Sequence, residues 1–216
     1  MDNTNNSCCC GETEHFSGCL ICGAPVTYSV ESSVKTCSIC HKEQLTNAVC
    51  ENGHFVCDAC HSYGTYIPVI IALRSSTEKD PLLLLEEIMD LPSVHMHGPE
   101  HHAIVPSVLL TALRNNGERM NYDTALSEIC KRARQVPGGT CGYWGVCGAA
   151  AGAGIFMSVM TGSGPLHKDA WPFPQKLVSV ILSKLADVGG PRCCNCLLYT
   201  SPSPRVMRIS RMPSSA

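Results

Sequence analysis

Eight side chains of the kind that bind soft metal ions are concentrated between Cys19 and Cys60. They are three Cys-x2-Cys pairs, Cys19/Cys22, Cys37/Cys40 and Cys57/Cys60, with Cys50 and His54 between the last two. Thiolate and imidazole are the donors that tetrahedral Zn²⁺ prefers. A two-residue gap lets both thiolates of a pair face one ion while the amides between them hydrogen-bond to the sulfurs. Eight such donors complete two Zn²⁺ sites. Gly23 follows the first pair, where a tight knuckle turn wants a residue that tolerates positive φ. The expected chemistry is structural metal binding.

Two partitions of the donors are open. In the sequential one, Cys19, Cys22, Cys37 and Cys40 share one ion and Cys50, His54, Cys57 and Cys60 the other. The span 24–36 is rich in Val, Thr, Tyr and Ser, as a hairpin between the knuckles of a zinc ribbon should be. In the interleaved one, Cys19/Cys22 join Cys50/His54, and Cys37/Cys40 join Cys57/Cys60. The sequential partition is the expectation taken forward. The run Cys50-x3-His54-x2-Cys57-x2-Cys60 resembles the middle of a RING-type cross-brace, but the further Cys pair of a RING does not follow Cys60, so ubiquitin-ligase activity is not implied. His41 and His61 each follow a pair directly and read as solvated neighbours able to substitute as ligands.

A second constellation lies downstream in three short motifs: His95-Met96-His97-Gly98-Pro99-Glu100-His101-His102, then Gly138 to Gly148 (GGTCGYWGVCG), then Gly189-Gly190-Pro191-Arg192-Cys193-Cys194. Each joins Gly or Pro, which set an unusual backbone, to His or Cys, which ligate metals or react. His97, His101, Cys141, Cys147, Cys193 and Cys194 are the candidate ligands of a second centre, an iron–sulfur cluster or a third metal ion. Glu100 is the candidate proton donor or acceptor. Cys147 opens a helix, where a thiolate is favoured. The letters His97-x2-Glu100-His101 match a zinc-protease signature, which requires both His on one helical turn. Pro99 belongs at a helix start and leaves His97 outside it, so the protease reading is set aside. The competing structural reading of these side chains is loop hydrogen bonding for the His and plain burial for the Cys.

The elements that must position these groups follow from composition and periodicity. The chain has 216 residues and 16 Cys. Four segments are expected: a disordered tail over 1–18, which carries Cys8, Cys9 and Cys10; a two-zinc ribbon or knuckle module over 19–61; an all-α domain over 62–195; and a non-native disordered tail over 196–216. The last reads CLLYTSPSPR at its start, like a translated sequencing adapter, so the natural chain is expected to diverge near Asn195. The module is too short to bury a core and needs its metal to fold. Helices are expected from His61, interrupted at Pro68; after the Asp80 cap and Pro81; over Ala103–Arg114, bent or broken at Pro106; over Asn121–Arg134; over Cys147–Met160, as the central buried helix of a bundle; and after Pro174. The net charge of −2 offers no basic field to nucleic acid or an anionic membrane. No apolar run is long enough to span a bilayer, and no signal peptide is legible, so a reducing cytoplasm is the expected compartment.

Taken in order, CENGHFVCDACH, HGPEHH, CGYWGVCGAAAGAG and GGPRCC resemble an uncharacterised prokaryotic family, a domain of unknown function found in anaerobic bacteria and archaea. The resemblance spans Cys19 to Cys194 and implies no established activity. The Gly-Gly…Cys-Gly-Ala…Gly run is similar to helical redox proteins of the Cys-Gly-Cys-Ala type, which implies an iron–sulfur or haem-linked centre, although their leading Cys-Gly-Cys-Ala element is absent. The functional expectation is a metal-binding protein with two structural Zn²⁺ and a Cys/His redox centre. The alternative is a non-catalytic adaptor that meets a partner protein through its zinc module. Nucleic-acid binding by the ribbon ranks last.

Overall fold

A computed structural model describes residues 18–188 and Cys194. It opens with a two-stranded antiparallel sheet, β1 (Val26–Thr36) and β2 (Glu43–Cys50). The helices α1 (Asp58–Ser75), α2 (Pro81–Met89), α3 (His101–Asn115), α4 (Tyr122–Ala133), α5 (Thr140–Tyr143), α6 (Gly148–Thr161) and α7 (Pro172–Val188) follow. The chain is therefore a small cysteine-rich knuckle module followed by a helical body. Among the described residues no helix is long and apolar enough to cross a membrane.

The hairpin departs from expectation. The span 24–36 does not fold on itself, because it holds no Gly, Pro or Asn pair to turn it once β1 begins. It forms one strand, and the turn is supplied by the second knuckle. Thr36 pairs with Glu43, and the Cys37 amide donates to the Lys42 carbonyl at 2.9 Å. At the other end Val26 pairs with Cys50, and the Glu51 amide donates to Pro25. Between these ends the register jumps: Tyr28 faces Ala48 while Ser33 faces Thr46, so β1 carries a bulge. Every residue of β1 is exposed. The module's buried cluster is Cys37, Phe55 and Cys57, with Cys40 and Cys60 against it.

The helical body has a conventional apolar core. Val69 and Leu73 of α1, Leu84 and Ile88 of α2 and Ile104 and Val108 of α3 form its main cluster. A second cluster joins Leu110 of α3 to Leu126 and Ile129 of α4, with Ile155 and Phe156 of α6 packed on it. Local signals set the helix starts. The Asp80 carboxylate accepts from the Leu82 amide at 2.8 Å with Pro81 in the first turn, and the Asn121 side chain accepts from the Thr124 amide at 3.1 Å.

The central helix is α3, not the expected Cys147–Met160 segment. Helix α3 packs against α1, α2, α4 and α6, and ten of its 15 residues are buried, whereas α6 is half-buried beyond Gly154. Nor does Pro106 break α3. The missing amide leaves the His102 carbonyl without its helical donor, and α6 covers that place. A Cβ on Gly152 would stand 2.6 Å from the His102 carbonyl oxygen and 2.9 Å from the Pro106 ring, so the two helices meet through glycine. A Cβ on Gly148 would likewise run into the His102 ring.

Candidate metal centres

Strand pairing decides which donors meet. Cys50 lies opposite Val26, at the end of β1 that leaves the first knuckle, while Cys37 and Cys40 sit in the turn at the other end. Two groups result: Cys19, Cys22, Cys50 and His54, and Cys37, Cys40, Cys57 and Cys60. The ligand atoms within each group lie within 4.8 Å of one another. The arrangement is interleaved, and the sequential partition is corrected. The physical reason is the ladder, which places an 11-residue strand between the two knuckles and carries Cys50 back to the first of them.

The spacings fit a tetrahedral ion. With Zn–S near 2.3 Å and Zn–N near 2.0–2.1 Å, the edges of a tetrahedron are about 3.8 Å for sulfur to sulfur and about 3.5 Å for nitrogen to sulfur. Cys22 and Cys50 sulfurs are 3.9 Å apart, and Cys40 and Cys57 sulfurs 3.8 Å. His54 Nδ1 is 3.3 Å from the Cys22 sulfur and 3.6 Å from the Cys50 sulfur. The amides of Ile21, Ile39, His54 and Cys57 face the sulfurs of Cys19, Cys37, Cys50 and Cys37 at 3.2–3.5 Å. Knuckle geometry closes each pair: Gly23 has φ +72° and His41, exposed after Cys40, has φ +58°.

The thiols of each group are set against one another. Hydrogen bonds from the Asn52 side chain, the Ala24 amide and His54 hold Cys22 down to about 6. Burial opposes ionisation of Cys37, but the Cys40, Cys57 and Ile39 amides overcome it and bring it to about 6. Burial and the neighbouring sulfurs of Cys57, Cys40 and Cys37 push Cys60 up to about 12. Four sulfurs in one pocket cannot all become thiolates unless a cation shares the site.

Between the module and the helical body lies a cavity of about 1150 Å³, whose lining includes His61, His95, His97, His101, Cys141, Cys147 and Cys194. Behind this lining, against His61 and His95, lies the fully buried Glu100, the residue before α3. The Glu100 side chain does not cap the helix. It turns back beneath Gly98 and accepts from His95 Nδ1 at 2.9 Å and His61 Nδ1 at 3.2 Å. Burial alone would raise its pKa, but these two bonds, with His101 close by, bring it down to about 2. Glu100 is thus ionised at neutral pH and accepts both of these bonds. His101 donates from Nδ1 to the Gly98 carbonyl at 2.9 Å, and burial holds it neutral, with a pKa near 4. Its Nε2 is buried and has no partner. His102 donates from Nδ1 to Val136 at 3.0 Å.

The expected second-centre residues are distributed as follows. His97 is exposed and outside α3, and His101 is in the first turn. Cys141 is exposed in α5, and Cys147 is the residue before α6 and makes no capping hydrogen bond with its side chain. Burial pushes the Cys194 thiol up to about 11, against a hydrogen bond from the Gly98 amide, and negative charge on Cys141, Cys147 and Glu100 adds to the rise. These residues share the cavity, but among the described residues they do not form a group with ligand atoms within 4.8 Å. Cys193, like Cys8, Cys9 and Cys10, lies outside the described residues.

A third close group does form, from His61, His95 and Glu100. His61 read from sequence as a solvated neighbour, and His95 was not singled out. The available signal was in α1: Ser62 and Thr65 share the buried stripe with Tyr66, Val69 and Leu73, so the first half of that stripe is polar beside His61.

The model of DUF5714, a family of unknown function, matches residues 69–211. The match starts inside α1, so both cysteine groups and His61 precede it, while the HGPEHH, CGYWGVCGAAAGAG and GGPRCC motifs lie within it. It also runs through 196–211 and marks no boundary at 195. No curated protein and no solved structure matches.

Proposed function

We propose that this chain, which belongs to the DUF5714 family of unknown function, is a metalloprotein in which two structural Zn²⁺ ions hold a hairpin module against a Cys- and His-lined cavity that carries a redox centre. One observation carries the reading: two complete donor sets whose separations match the edges of tetrahedra around Zn²⁺. The zinc sites would organise rather than react, because four protein ligands leave no open position.

The redox part rests on the cavity. His101, Cys141, Cys147 and Cys194 line it, with Cys193 adjoining in sequence, and the unpartnered Nε2 of His101 is a nitrogen ligand held ready by its bond to Gly98. Mixed thiolate and imidazole donors suit iron or zinc. The test is elemental analysis and a visible spectrum of anaerobically purified protein. The expected result is two zinc per chain together with iron, and absorption that bleaches on reduction. Two zinc and a colourless protein would remove the redox centre from the reading. Fewer than two would overturn the assignment of the tetrads.

The adaptor reading has its own observation. Tyr28, Val30 and Val34 of β1 and Leu45 of β2 are all exposed, an apolar stripe on a hairpin that the zinc sites would hold rigid. It predicts a colourless two-zinc protein that captures a partner protein through this hairpin, and loses it on Val30→Glu.

A further inference from the structure

His61, His95 and Glu100 arrive from three elements: α1, the connection between α2 and α3, and the residue before α3. The carboxylate they surround is fully buried. The imidazoles of His61, His95 and His101 lie within 4.0 Å of it. A buried carboxylate is costly without an opposite charge beside it.

We propose that His61, His95 and Glu100 form a third metal site, for a first-row divalent cation held by two imidazole Nδ1 atoms and one carboxylate, with its remaining positions open to the cavity. The site is separate from the tetrads and uses none of the cavity cysteines, so it goes beyond the redox reading.

The donor separations are those of a coordination shell. Ligands about 2.1 Å from a cation lie about 3.0 Å apart at right angles and about 3.4 Å apart in a tetrahedron. His95 Nδ1 and His61 Nδ1 stand 2.9 and 3.2 Å from the two carboxylate oxygens. The two rings meet edge to face, with centroids 4.7 Å apart and planes at 63°, so both turn a nitrogen to the carboxylate without stacking.

Two independent features show a built site. Any Cβ on Gly98 would collide with both oxygens of Glu100, so glycine is needed for the carboxylate to lie where it does. His101, 1% exposed, lines the same cavity with an unpartnered Nε2.

Two imidazoles and one carboxylate are the donor set of catalytic zinc and of non-haem Fe(II), both of which keep open positions. A ring that binds the cation through Nδ1 carries its proton on Nε2.

The test is metal content of the full chain after titration with Zn²⁺ and, separately, Fe²⁺ under anaerobic conditions, followed by desalting. The wild type is expected to hold one equivalent more than His95→Gln and His61→Asn, with the far-ultraviolet spectrum and the two tetrad zincs unchanged. Cys141→Ser and Cys147→Ser should leave that extra equivalent in place, whereas Cys37→Ser should remove a tetrad zinc and keep it. ¹⁵N spectra of labelled His should show both rings change tautomer on binding. An equivalent retained in both His variants, or no equivalent beyond the tetrads and the cysteine centre in the wild type, overturns the proposal.

Discussion

The module over 18–57 and the helical body over 58–188 solve the problem of ordering a chain in opposite ways. The body buries Leu73, Leu84, Met89, Leu110 and Ile129 completely or almost so. The module buries one large hydrocarbon side chain, Phe55, and otherwise cysteines, while β1 lies exposed from end to end. The body is held by apolar area, whereas the module has two donor groups that could hold metal ions in place of a core. The two are joined at α1, whose first turn carries Cys60 and His61 and whose last turns enter the main core. A cavity lined from both sides is the result.

The comparison predicts a split response, and metal removal should give its largest effect. Structural zinc contributes on the order of 10–16 kcal/mol to domains of this kind. Chelation should therefore release the amides of β1 and β2 to hydrogen exchange while α3 and α4 stay protected. Equal loss of protection in both regions would show that the body also depends on the metal.

Leu110→Ala should do the reverse. It leaves a hole between α3 and α4 and should cost about 2–5 kcal/mol in chemical denaturation, with zinc content unchanged.

Gly152→Ala tests the contact that makes α3 central. The new methyl group meets the His102 carbonyl and the Pro106 ring, and the strain of overpacking should cost about 1–3 kcal/mol. If stability is unaltered, α6 can shift away from α3 freely.

The smallest effect is expected of Asp80→Ala. It removes the cap on α2, whose carboxylate accepts from Leu82, and should cost about 1 kcal/mol, read as a lowered melting temperature of the body alone.

Helix positions were legible because their signals are local. Asp80-Pro81, Asn121 and the Gly138-Gly139 break act on the residues beside them. The eight donors of the module were legible for the same reason, since a Cys-x2-Cys pair is a chelate whatever surrounds it. How the pairs combine was not legible, because it follows from the pairing of Val26 with Cys50 across the hairpin. The centrality of α3 was hidden by Pro106, which reads as a breaker until Gly152 is seen against the carbonyl it exposes.

The candidate site divides along the same line. The composition and spacing of the chain by themselves determined that it carries donors grouped as a metal site needs them, that a ligand-dense segment precedes a helical one, and that His and Cys recur near Gly and Pro. Only the tertiary structure decided that His61, a residue after the last knuckle, meets His95 and Glu100, 34 and 39 residues further along the chain. It also decided that His101 keeps one nitrogen bare. Local propensities are short-ranged, whereas the assembly of a buried carboxylate and its imidazoles depends on helices packed at distances that no spacing along the chain records.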